Sequence, residues 1–360
     1  MSSFPGNLQN SSVSASLLTE EQPAKASRGR MPLPAPRGVV SGELADLLVD
    51  LDRPAGRLVV LMDSHAGPVL ADEDIQISLT MLYELHLRGI AGVDDRAEWD
   101  VRLLEVRAMI ERRMVDELDA LVGPIADPGE VADEMFRIAA ADDGPPLARY
   151  LATSGSIDQF RELVVHRSLN QLREADVHTL AIPRLAGSAK AALVEVQSDE
   201  YGGGRVDFMH ATLWADLMDG LGLDSTYASY IDRIPATTLA AVNTLSYLGL
   251  HRSTVLELIG HLCMIETTSA LPCRDYSRAL RRLGFEPAVG LFFDEHVEAD
   301  SVHEQLVVRS VAGALAESPN DRIALIRGAM ICLAVEKAAA EHVWESWEAG
   351  RSSLRPAGVR

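Results

Sequence analysis

The chain has 360 residues, 47% of them hydrophobic, with a formal net charge of -20 and a mean hydropathy of +0.05. A chain of this length and apolar content buries a sizeable core, which excludes wholesale disorder. Its acidic balance leaves no broad basic surface for a nucleic-acid backbone. The three cysteines, Cys263, Cys273 and Cys332, have no C-x-x-C spacing. That excludes a disulfide framework and a zinc-thiolate site and points to a reducing cytoplasm. No window approaches 18 uninterrupted apolar residues and no signal-peptide pattern opens the chain, so a soluble protein with no membrane partner is expected.

Residues 1–56 are expected to be a flexible leader, because their serine and proline runs carry no sustained apolar period. The apolar run Leu58–Met62 fits a strand or an extended arm. Beyond it the text is helical. Ile75, Leu79, Leu82 and His86 share one face before Gly89, and Leu103, Val106, Ile110, Met114 and Leu118 carry the next amphipathic helix up to Gly123 and Pro124. Helical spacing continues over 129–141, 157–178, 186–201, 206–221, 235–248, 252–269, 274–283, 289–317 and 321–348, with Gly, Pro or Asn between the segments. There is neither G-x-G-x-x-G nor a P-loop, and no alternating β pattern. The expectation is one all-α domain over 57–350, followed by a flexible tail at 351–360.

His296, Asp300 and His303 are spaced H-x3-D-x2-H. At about 100° per residue, Asp300 lies roughly 40° from His296 around a helix and His303 roughly 20° the other way. All three leave one narrow face. Imidazole and carboxylate donors together suit iron, manganese or zinc better than magnesium or calcium. The same face also fits a solvated helix surface.

A metal site in a helix bundle takes side chains that point inward from several helices. Polar groups at apolar positions are therefore the useful signal, since burying them is costly unless they are paired or coordinated. Glu200 continues the face of Leu193 and Val196, His210 opens that of Leu213, Trp214 and Leu217, and Glu266 follows Ile259, Leu262 and Cys263. Hydrogen-bonded core or a buried ion pair explains each one singly. On one straight helix Glu200 and His210 would stand about 15 Å apart, so Gly202, Gly203 and Gly204 are expected to break the chain and return it. Glu174 closes a polar stripe of Arg167, Asn170 and Gln171, which fits either a site lining or solvent. His178, four residues after Glu174, is a rival ligand. His261 and Glu257 face away from Glu266.

Three stretches carry a resemblance: Gln171 to Asp176, Asp199 to Gly204 with His210, and Phe292 to His296 running through Asp300 to His303. With them, the chain resembles the heme-oxygenase-like diiron oxidases and oxygenases, a family of iron-containing redox enzymes, over roughly residues 60–350. The resemblance implies a helical bundle that holds two iron ions and uses dioxygen to oxidise a small organic substrate. It implies Glu200, His210, Glu266, His296, Asp300 and His303 as ligands, with Glu174 matching the extra carboxylate of the N-oxygenating members. N-hydroxylation of an amine or amino-acid-like compound is then the expected reaction. Oxidative C–C cleavage or desaturation of a fatty or amino acid is the alternative if Glu174 does not bind metal, and a non-catalytic metal-binding protein is a third reading. A heme reading through His86 and a thiaminase-like one through Cys263 both leave His296, Asp300 and His303 unexplained. The paired E-x-x-H motifs of ferritin-like diiron proteins are absent from the sequence. No residue identifies an electron donor, and an apolar surface left by the N-terminal helices would support a homodimer.

Overall fold

The computed structural model describes residues 29–356, apart from the side chains of residues 298–302. The side chain of Asp300 thus lies outside the described residues. Among the described residues the only β feature is an isolated bridge between Met31 and Ile90, and the all-α expectation holds.

Four helices open the body: α1 (Val39–Val49), α2 (Gly56–Ser64), α3 (Glu73–Glu84) and α4 (Val101–Val122). Next come α5 (Val131–Ala140), α6 (Leu147–Thr153), α7 (Ile157–Gln171) and the short α8 (Asp176–Thr179). The chain continues through α9 (Gly187–Glu200), α10 (His210–Gly220), α11 (Ala236–Leu250), α12 (Val255–Arg282) and α13 (Leu291–Gln305). A π-helical run, Leu306–Ala312, carries α13 into the single turn α14 (Gly313–Leu315), and α15 (Pro319–Glu348) completes the body.

Local chemistry explains the boundaries. The Asp100 side chain caps α4 by accepting from the Arg102 amide, and Gly123 ends it with φ 66°. Along α4, Leu103, Val106, Ile110, Met114 and Leu118 are all buried at the predicted helical spacing. Ser318 and Asp321 form a capping box at the start of α15, with Pro319 at its first position.

Helix α12 is central and packs on α15, α13, α6 and α5, while α11 lies across α15 and α3. Gly260 of α12 and Gly328 of α15 let two backbones meet. A Cβ on Gly260 would overlap the Leu325 carbonyl, and one on Gly328 would overlap the Glu257 carbonyl. Two apolar cores result. One joins α1–α4 to α10 and the Phe292–Phe293 start of α13; the other joins α5, α9, α12, the π-helical run and α15.

The structure departs from four sequence expectations. The leader does not extend to residue 56: α1 buries Leu44, Leu47 and Leu48 in the first core, and the Asp74 carboxylate accepts from the amides of Val40 and Ser41. Leu58–Met62 is part of helix α2, with Leu58 and Met62 buried. The tail is anchored as far as residue 356, for Ser353 is buried between Glu162 and His166 and Arg355 pairs with Glu73 at 3.0 Å. Pro272 does not separate two helices; α12 runs through it. The rest of the expected leader, residues 1–28, and the last four of the tail, residues 357–360, lie outside the described residues.

Candidate metal centre

Two chain breaks build the first half of the site. Gly202, Gly203 and Gly204 have φ values of 64°, 59° and 80°, which end α9 just after Glu200. The chain folds back so tightly that a Cβ on Gly202 would stand 2.7 Å from the Met209 amide nitrogen. His210, the first residue of α10, is thereby returned to Glu200, with Nδ1 2.8 Å from Oε2. The expected reversal is present. The second break differs from expectation, since α7 ends at Gln171 and Glu174 comes from a turn closed by Ala175 at φ 71°. Gln171 Nε2 donates to Glu174 Oε1 at 2.7 Å and aims the carboxylate inward.

Glu266 comes from α12 and His296 and His303 from α13, the helix packed against it. The six described side chains fall into two groups of mutually close donor atoms. Glu174, Glu200, His210 and His296 form one, and Glu200, Glu266 and His303 form the other, all within 4.8 Å of one another in each group. Glu200 belongs to both. His296 Nε2 lies 3.5 Å from Glu174 Oε1, and His303 Nδ1 lies 3.5 Å from Glu266 Oε2 and 3.9 Å from Glu200 Oε1.

The imidazoles are oriented from behind. His296 Nδ1 donates to the Phe292 carbonyl at 2.8 Å, which in the neutral ring turns the Nε2 lone pair toward the centre. His303 Nε2 donates to Asp199 Oδ2 at 3.1 Å and turns Nδ1 inward. A partner of this kind on the outer ring nitrogen is what metal-bound histidines ordinarily have. Glu174 Oε2, His210 Nδ1 and His303 Nδ1 are buried without an aligned hydrogen bond. His210 Nδ1 and Glu200 Oε2 approach closely yet out of alignment, as two donors directed at a common third point do. Buried polar atoms seldom go unsatisfied, and a cation between the two groups would satisfy all three. The donor set therefore fits a pair of transition-metal ions.

The electrostatics agree. Burial pushes the Glu200 carboxyl up, but His210, His296 and His303 outweigh it and hold the group at about 2. Burial lowers His303, and Glu266, Asp199 and Glu200 more than offset this, raising it to about 9. Burial raises the Glu266 carboxyl. An acid-rich pocket of this kind attracts protons strongly, and metal ions compete for the same atoms.

The other candidates lie elsewhere. His178 Nε2 sits 3.3 Å from His261 Nδ1, outside both donor groups. Glu257 faces Arg327 at 3.7 Å. Asp199 and Gln171 lie within the motif stretches, but the sequence alone assigns them no role. Asp199 flanks a ligand candidate, but only the return of α13 shows which imidazole it meets.

A cavity of about 470 Å³ opens on the centre and is lined by Glu174, Glu200, Glu266 and His296. Trp214, Phe292 and Phe293 supply apolar wall, a mixture typical of small-molecule sites.

Comparison with known proteins fits this geometry. Residues 161–337 match a family described as iron-containing redox enzyme. Over these residues the chain is similar to the members of that family. The matched segment holds every residue of both donor groups. Within the curated proteins, the chain is 24% identical over 198 residues to a nitrosourea synthase from Streptomyces achromogenes subsp. streptozoticus. That alignment covers 54% of this chain and 42% of the relative, so the chain spans less than half of the longer protein. No helix among the described residues is long and apolar enough to cross a membrane.

Proposed function

We propose that this protein is a nonheme diiron oxygenase that uses dioxygen to hydroxylate the nitrogen of a small amine or amino-acid-like substrate. The observation that carries the reading is the double donor group with Glu200 common to both halves. In this reading Glu174, His210 and His296 would hold one iron, Glu266 and His303 would hold the other, and Glu200, common to both groups, would serve both. Asp300, whose side chain lies outside the described residues, is the fourth carboxylate that the resemblance implies. Four carboxylates balance the four positive charges of two Fe(II) ions, which suits a buried site.

The iron pair, when bound, supplies the electrons and the open positions at which dioxygen is reduced. The chain's own residues position everything else. The Phe292 carbonyl and Asp199 fix two imidazoles, Gln171 fixes Glu174, and the aromatic wall of Trp214, Phe292 and Phe293 keeps bulk water from the reacting nitrogen. Hydroxylation inserts one oxygen atom into the substrate N–H and releases the other as water. Two electrons from an external donor and two protons complete the balance.

The nitrogen preference rests on Glu174, whose carboxylate stands with His210 and His296 rather than in solvent. The relative's name, which describes a product containing a nitrogen–nitrogen bond, supports the same preference. Metal analysis after anaerobic reconstitution tests the reading. About two irons per chain are expected, with loss in His296→Ala or His303→Ala while the helical content persists. No uptake, or uptake indifferent to both substitutions, refutes it.

A further inference from the structure

The cavity beside the centre contains an ion pair that the metal site does not use. Arg167 lies on α7 between His166 and Ser168, both buried, yet its own side chain is 45% exposed. The space it opens onto is the cavity, which is also lined by Glu336 of α15. Arg167 Nη2 meets Glu336 Oε2 at 2.9 Å. A guanidinium has five donors, so this contact orients the group and leaves much of its fork facing the cavity.

Two of the three other cations along the lining are committed elsewhere. Arg173 is buried against Glu84 at 3.4 Å and Ser246 at 3.3 Å. Lys337 is held by the exposed Asp143 at 2.6 Å, and Arg149 is exposed on α6. We propose that Arg167, steadied by Glu336, is the specificity-determining anchor for a substrate carboxylate, and that the substrate is an amino acid held by that end. The inference rests on the oxygenase reading for the fate of the other end, which enters the iron centre. A planar guanidinium suits a carboxylate by its two-pronged geometry and charge. Arg167 on α7 and Glu174 in the turn after it both line this one cavity. The cavity volume of about 470 Å³ is ample for a molecule the size of a common amino acid.

Calorimetric titration of the metal-free protein with the common L-amino acids, and with the decarboxylated amine of each one that binds, tests the proposal. The wild type is expected to bind at least one amino acid about ten-fold or more tightly than its amine. The preference should vanish in Arg167→Gln and in Arg167→Gln/Glu336→Gln, the second of which leaves no carboxylate without its cation. Both variants should take up iron as the wild type does, which reports an intact fold. Absence of amino-acid binding, equal binding of acid and amine by the wild type, or a preference that survives in both variants overturns the proposal. Iron uptake by the wild type is a separate readout. Its failure removes the oxygenase reading and leaves the carboxylate preference to be judged by the titration.

Discussion

Asp199 carries the most informative contact at the residue scale. Its side chain is 63% exposed, yet it reaches the outer nitrogen of a buried imidazole that faces the centre. An exposed carboxylate adds little to folding stability; its effect should fall on the metal. Asp199→Asn is expected to weaken iron binding about 10- to 100-fold while the metal-free protein keeps its melting temperature. An iron titration with a chelator competitor, paired with a thermal melt, checks both parts. An equal loss of stability and affinity would assign Asp199 to the fold instead. Glu200, His210, Glu266, His296 and His303 were readable in the sequence because each breaks an apolar period or a face pattern. Glu174 was readable only by resemblance, since its place depends on a left-handed Ala175 that no spacing announces. Arg167 stands in the sequence only as part of a polar stripe and Asp199 only within a motif, because their partners, Glu336 and His303, lie on helices distant in sequence.

Close helix contact dominates at the element scale. Gly260 and Gly328 bring α12 and α15 together backbone to backbone, and this fixes where α12 presents Glu266. Gly328→Ala should cost about 1–3 kcal/mol or more, because the added methyl would overlap the Glu257 carbonyl and the helices must part. Chemical denaturation measures it, and a change below about 0.5 kcal/mol would mean that the helices yield without cost. Helix α12 also shows why its length was misjudged. Pro272 removes one amide from the ladder, but Thr267 and Thr268 donate their hydroxyls back to the carbonyls of Cys263 and Met264, and Ser269 does the same to Ile265. Such back-bonding allows a helix to bend and continue. The sequence marks a proline; it does not reveal neighbours that tolerate one. Helix α1 was overlooked for a related reason, because the proline-rich run before it masks a short apolar face that the Asp74 carboxylate pins in place.

Three buried histidines couple the whole molecule to pH. Burial, together with His342, lowers His166 to about 3; burial and His261 lower His178 to about 3; burial lowers His261 to about 4. Each stays neutral in the folded state and binds a proton on unfolding below its ordinary value of about 6.5. The stability they allow is complete above that pH. It is lost progressively as pH falls toward 4, by up to about 4 kcal/mol per pH unit when all three contribute. Denaturation of the metal-free protein at a series of pH values should show this slope, and stability flat from pH 7 to 4 would contradict it. At this scale the all-α body was legible from periodicity. How its two cores enclose the site was not, because that depends on pairings between helices distant in sequence.

The central claim is that one carboxylate, Glu200, joins two metal positions. Mössbauer spectroscopy of the iron-57 protein, reconstituted without oxygen and then oxidised, tests it most directly. Two iron environments in equal amount, coupled into a diamagnetic diferric ground state, are expected. Uncoupled, paramagnetic ferric iron at a single site would contradict it.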